Sequence, residues 1–161
     1  EDFYLSSILF YLGFGFHEAF VELRAVCDCV YDLMYYHRLQ GFLYGLLGGS
    51  AYSDLHDRRG YKFFSFSNIF PSMDMHEGDV RRFLASSPDV DLIRVFRDRL
   101  DGLRRDCCPV NVGEMSFTVE GVSVLEPHVD RSCVLASGTP IVVRVPRANY
   151  AKYGIDPPRD Y

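Results

Sequence analysis

The chain has 161 residues, of which 48% are hydrophobic and 24% charged, and its formal net charge is −5. This length suits one domain with an appendage and can bury a self-sufficient core, and the balance excludes disordered and collagen-like chains. No stretch approaches the roughly 18 uninterrupted apolar residues of a membrane span, so a membrane role is not expected.

An acidic total argues against a nucleic-acid partner when taken alone. However, 15 of the 17 basic residues are Arg, whose guanidinium forks onto carboxylates and phosphates, so the total can hide a local basic surface. There is no Trp, but 13 Phe and 11 Tyr supply many rings, most of them expected in the core. The five cysteines are Cys27, Cys29, Cys107, Cys108 and Cys133, spaced C-x-C and C-C. That spacing fits neither a zinc ribbon nor a disulfide scaffold, and reads as reduced thiols in a cytoplasmic protein.

In chain order, Phe3–Leu12 reads as a short apolar helix, followed by the glycine-rich turn Gly13-Phe14-Gly15. The turn falls short of a dinucleotide fingerprint, having no preceding strand and no third glycine. The acidic start and the lack of a basic n-region argue against a secretory signal. Residues 1–20 are therefore set apart as a separate, rearranged or swapped element, whose apolar face is expected to dock on the domain or on another copy.

Phe20–Val26 alternates as a strand, with Phe20, Glu22 and Arg24 opposite Val21, Leu23 and Ala25. Residues 36–47 read as a helix with Leu39, Phe42, Leu43, Leu46 and Leu47 in one stripe, ended by Gly48-Gly49. Ser50 is placed to start a second short helix carrying Leu55 and His56. Tyr61–Phe70 reads as an aromatic strand stopped by Pro71, and residues 79–85 as another.

Ser87-Pro88-Asp89 predicts a capped helix over 88–103, with Leu92, Ile93, Phe96, Leu100 and Leu103 buried. Arg94, Arg97, Arg104 and Arg105 lie off this stripe and read as a solvated, salt-bridged face. Val110–Leu125 alternates as a strand, with Met115, Phe117 and Val119 against Ser116, Thr118 and Glu120. Residues 133–145 are a further strand region, and 146–161 a linker towards another domain. The order predicts an α+β, ferredoxin-like (split βαβ, RRM-like) domain over 21–145, an antiparallel sheet with two helices on one face.

On a helical wheel Tyr44 falls roughly 130° from the centre of the apolar stripe, so Tyr44, with His37 and Gln40 on its side, is expected to face away from the core. His56 precedes Asp57-Arg58-Arg59, and Lys62 opens the aromatic strand. Taken singly these are ordinary: a surface tyrosine, a surface histidine beside an acid, a solvent-facing strand lysine. Together they could meet where helix, loop and strand converge. RNA can be cut without a metal when its 2′-hydroxyl is the nucleophile, given a base, an acid and a cation for the charged phosphorane. Tyr, His and Lys can fill those roles. Arg58 and Arg59 are the candidate phosphate contacts.

The runs Leu39-Gln40-Gly41-Phe42-Leu43-Tyr44, Leu55-His56 and Gly60-Tyr61-Lys62-Phe63-Phe64-Ser65-Phe66-Ser67, in this order, resemble the N-terminal half of the CRISPR repeat-RNA processing endoribonucleases. That family belongs to the repeat-associated mysterious protein (RAMP) superfamily. Phe83–Asp89 and Thr139–Val143 extend the likeness over roughly residues 21–155.

The resemblance implies catalytic roles for Tyr44, His56 and Lys62. It implies cleavage of precursor CRISPR RNA within its repeats, with no metal or other cofactor, leaving a 2′,3′-cyclic phosphate. Family members carry a second ferredoxin-like domain and a late glycine-rich loop, for which Gly13-Phe14-Gly15 is the one comparable piece here. The expected partners are thus CRISPR repeat RNA and a second ferredoxin-like domain, from a second copy or a partner chain. The alternatives are a RAMP-type subunit that holds crRNA without cutting it, and a structural domain with no RNA role.

Overall fold

A computed structural model describes residues 17–32, 35–58 and 62–126. Its elements are β1 (His17–Ala25), α1 (Tyr36–Leu46), β2 (Ser65–Phe66), β3 (Val80–Ser87), α2 (Val90–Arg105), β4 (Val110–Val112) and β5 (Met115–Leu125). The strands lie in the order β2-β3-β1-β5-β4, every neighbouring pair antiparallel. With β5 in the place of a fourth strand and β4 as an added edge, this is the split βαβ order of a ferredoxin-like domain, as the sequence predicts.

Strand periodicity sets the two faces of the sheet. Ala19, Val21, Leu23 and Ala25 are buried on one face, with Phe83 and Ala85 of β3 and Met115, Phe117 and Val119 of β5. Leu39, Leu43 and Leu46 of α1 and Leu92, Ile93, Phe96 and Leu100 of α2 close the core over that face. The other face carries a polar ladder: Arg24 to Glu120 at 3.0 Å, Arg82 to Glu22 at 3.0 Å, and Ser86 to Glu18 at 3.0 Å.

The 110–125 run is a hairpin rather than one strand. Gly113, at φ +65°, makes the turn between β4 and β5, and a Cβ there would lie 3.3 Å from Asp32 Oδ2. Farther along, the pairing with β1 shifts between Glu22 and Leu23, leaving Glu120 as the extra residue of a bulge. The bulge changes the parity of β5. Val122 and Val124, which strict alternation from Val119 would turn outward, instead pair with Val21 and Ala19 and pack on the core.

Three further boundaries differ from the sequence expectation. In place of a strand over 61–70, the strand is Ser65–Phe66, with an isolated bridge from Phe70 to Arg82, and the backbone at Phe63, at φ 40°, is not extended before it. Residues 50–58 form successive hydrogen-bonded turns, not a helix; their bonds mostly span three residues and do not propagate. The second helix starts at Val90, capped by Asp89, whose Oδ1 accepts from the N–H groups of Asp91 (3.0 Å) and Leu92 (3.3 Å). Ser87 instead ends β3, and its hydroxyl takes the Asp89 N–H.

Asp91, Asp98 and Asp101 pair with Arg94, Arg97 and Arg104, as expected of that face, whereas Arg105 Nε donates to the Asp101 backbone carbonyl at 3.3 Å. Of the 1–20 element, residues 17–20 begin β1 and so belong to the domain; the apolar helix and glycine-rich turn before them, Arg59, Cys133, the 133–145 strand and the 146–161 tail lie outside the described residues. Among the described residues no helix is long and apolar enough to cross a membrane.

Candidate active site

α1 carries Tyr44, and the core stripe on the other side of that helix fixes its azimuth. Tyr44 is nonetheless half-buried, not fully turned to solvent as the wheel suggests, because Phe64 packs edge-on against it at 5.6 Å between ring centroids. Phe64 in turn lies against the core ring Phe96.

The turns that follow α1 bring His56 back to this ring. Leu55 is buried beneath them, Ser50 Oγ donates to the Leu47 carbonyl at 2.7 Å, and Arg99 of α2 donates to the Gly48 carbonyl at 2.9 Å. The Tyr52 hydroxyl donates to Asp89 Oδ2 at 2.7 Å, pinning the segment to the start of α2. Partial burial, then the Asp89 carboxylate, push the Tyr52 phenol up to about 12. His56 thereby meets Tyr44 edge-on at 4.9 Å, with its Nδ1 2.8 Å from Asp57 Oδ1.

Lys62 arrives from the other direction, on the segment leading to β2. Its Nζ lies 5.4 Å from the centre of the Tyr44 ring and donates to the His56 backbone carbonyl. Helix, turn and pre-strand segment therefore bring Tyr44, His56 and Lys62 together around one ring. His56 is largely exposed, with 68% of its side-chain surface open. With Nδ1 turned to Asp57, Nε2 is the nitrogen left to exchange a proton with a ligand.

Arg58 stands beside this cluster, but its guanidinium forks onto Asp54 at 3.1 and 2.8 Å. That contact holds the Asp54 carboxyl below the usual range. A phosphate at Arg58 would have to share or displace it. His37 is exposed on α1. The acid expected beside His56 is Asp57, in contact with its Nδ1, whereas the packing of Phe64 on Tyr44 has no local signal in the sequence. Among the described residues no group of three or more His, Cys, Asp or Glu is placed to hold a metal ion.

No protein-family model matches the chain. A CRISPR-associated endoribonuclease Cas6 from Haloferax mediterranei is 36% identical over 143 residues, covering 87% of this chain and 52% of the relative. A second Cas6 endoribonuclease, from Methanocaldococcus jannaschii, is 33% identical over 116 residues, covering 72% of this chain and 46% of the relative. The chain thus spans about half the length of the curated relatives it matches. Among solved structures, a RAMP protein described as binding different RNA substrates superposes with a TM-score of 0.53 at 16% identity, over 71% of this chain and 51% of that one. At that identity the likeness speaks for the fold, and the fold agrees with the strand order above. By its sequence the chain belongs with the CRISPR-associated Cas6 endoribonucleases, over about half of their length, and its ferredoxin-like strand order agrees with that.

Proposed function

We propose that this chain cleaves precursor CRISPR RNA within its repeats by attack of a 2′-hydroxyl on the adjacent phosphate, without a catalytic metal. Tyr44, as the phenolate, accepts the 2′-hydroxyl proton, Lys62 offsets the charge that builds on the phosphorane, and His56, as the imidazolium, gives its Nε2 proton to the departing 5′ oxygen. The products are a 2′,3′-cyclic phosphate and a 5′-hydroxyl. The observation that carries this reading is the meeting of a phenol, an imidazole and an ammonium around the Tyr44 ring. Each is a group that such a reaction needs, and groups of this kind contribute factors of about 10²–10⁴. The Cas6 names of the two relatives support the same substrate. Arg58 and Arg59 are proposed phosphate contacts, Arg58 at the expense of its pairing with Asp54.

The net charge of −5 favours a second reading, a subunit that holds crRNA without cutting it. Incubating the protein with a transcript carrying the CRISPR repeat of its source genome, in EDTA, separates the two. Cleavage to a cyclic-phosphate end is the expected result. Binding without cleavage would favour the second reading, and cleavage that requires an added divalent ion would overturn the mechanism.

A further inference from the structure

Two arms of the chain bring side chains to the Tyr44 ring. His56 lies in the hydrogen-bonded turns of 50–58, and Lys62 lies in irregular chain ahead of the two-residue strand β2. Leu55 and Phe64 bury the apolar side of these arms. Apolar burial is non-directional, so it holds the arms against the domain without fixing where the imidazole and the ammonium point.

Hydrogen bonds supply direction, and both arms are bonded to the same place. Ser87 Oγ, on a buried residue that ends β3, donates at 2.7 Å to the carbonyl of Phe63, the residue after Lys62. The Tyr52 hydroxyl, in the turns that lead to His56, donates to Asp89 Oδ2 at 2.7 Å. The two anchors are themselves joined, because the Asp89 N–H donates to Ser87 Oγ at 3.0 Å. Asp89 Oδ1 meanwhile caps α2, and Ser87 pairs with His17 in the β1–β3 ladder. The short junction between β3 and α2 therefore ties both arms to the regular part of the domain.

Resting on the RNA-cleaving reading above, we propose that Ser87 and Asp89 are positioning residues for that reaction. Ser87 acts through the Phe63 carbonyl on Lys62, and Asp89 acts through Tyr52 on His56. Together they hold cation and acid at the spacing around Tyr44 in which both reach one phosphate. Groups that act in concert must be held to within about 0.5 Å, and a misplacement of about 1 Å can cost a factor of about 10² in rate.

The test measures single-turnover cleavage of saturating repeat transcript in EDTA, with Kd for the same RNA by fluorescence anisotropy. Ser87→Ala should slow cleavage roughly 10- to 100-fold and Tyr52→Phe roughly 3- to 30-fold, with Kd within about threefold of wild type. Ser87→Thr keeps the hydroxyl and should cleave within about threefold of wild type. In a Lys62→Ala protein, Ser87→Ala should cost less than about threefold more, because the group it positions is gone. Tyr52→Phe should behave in the same way in a His56→Ala protein. Arg81→Ala, at the far end of β3, removes a buried contact away from the site and should leave the rate of the folded protein within about twofold.

A wild-type rate in Ser87→Ala or in Tyr52→Phe would overturn the inference. So would losses that multiply in full on top of Lys62→Ala and His56→Ala, or an Arg81→Ala protein slowed as much, which would make the effect one of stability. Should Ser87→Ala not fold, Tyr52→Phe decides, since it removes one hydroxyl from a part-buried ring. Wild type that cleaves, with His56→Ala and Lys62→Ala slow but Ser87→Ala and Tyr52→Phe unchanged, overturns this inference alone. Wild type that does not cleave the repeat transcript overturns the underlying reading with it.

Discussion

Nδ1 of His56 faces Asp57, and that contact bears on what an alanine at position 56 tests. In the proposed reaction Nε2 protonates the leaving oxygen, so His56→Ala should slow single-turnover cleavage at saturating repeat RNA by about 10²–10⁴. Binding should change little, since an exposed imidazole adds few phosphate contacts. Tyr44→Phe keeps the ring that Lys62 and Phe64 pack against and removes only the oxygen, so its loss should fall on the rate. Lys62→Ala should weaken rate and binding together. An unchanged rate in His56→Ala would move the chemistry elsewhere, with His37 the next imidazole to substitute.

A different residue-scale effect lies at the far end of β3, where Arg81 is buried. Its guanidinium donates to the carbonyls of Val80 (3.1 Å) and Asp74 (3.0 Å) and meets Asp79 Oδ2 at 3.2 Å, bracing the 71–79 loop. Arg81→Ala should lower unfolding free energy by about 3 kcal/mol, the scale for breaking a buried charged contact, measurable by urea titration. Asp79 is held below the usual carboxylate range, first by the His76 N–H and then by Arg81. A depressed folded value means that Asp79 contributes stability at pH above its unfolded value of about 4 and loses it as pH falls through the folded value. The stability gap between wild type and Asp79→Asn should therefore be widest near neutrality and close on acidification.

At the scale of elements, α2 ends on a left-handed residue that is not glycine. Cys107 has φ 49°, its N–H donates to the Arg104 carbonyl at 3.2 Å, and the Cys108 N–H donates to the Leu103 carbonyl at 3.0 Å. This is the Schellman arrangement, whose left-handed position favours glycine. Cys107 thus has a local reason for its positive φ. Cys107→Gly should raise unfolding free energy by about 1 kcal/mol, read as an increase in Tm. The β5 bulge belongs to the same scale. Apolar positions switch from odd at Met115, Phe117 and Val119 to even at Val122 and Val124, a parity change written in the sequence yet easily read as the end of a pattern.

For the whole molecule, the distribution of charge matters more than its sum. Arg94, Arg97 and Arg104 are engaged by aspartates on their own helix, so these three have less free charge to offer a phosphate. In the proposed function, the phosphate contacts come from the Tyr44 side instead. Replacing those three arginines together with Gln should leave affinity for repeat RNA within about twofold, and log K against log salt should have a slope shallower than about −4, reflecting few neutralised phosphates. A steep slope abolished by the triple substitution would relocate the RNA surface to α2.

The sequence by itself determined the parts governed by local periodicity and capping chemistry. These are the two amphipathic helices, the inward face of β1, the paired charges of α2, and through their order the ferredoxin-like fold. The runs around Tyr44, His56 and Lys62 also marked the family, because they keep residue type and order together. Only the tertiary structure decided how those three side chains meet. Tyr44 is half-buried because Phe64, twenty residues on, covers it, and His56 reaches it because Tyr52 and Arg99 anchor the intervening turns across to α2. It also decided that, among the described residues of the aromatic run, Ser65–Phe66 and Phe70 pair with β3 and Ser67 bonds to Leu84. The reversal at Phe63 depends on a hydroxyl at position 87, and no local rule of propensity or alternation encodes a contact between residues so far apart in the chain.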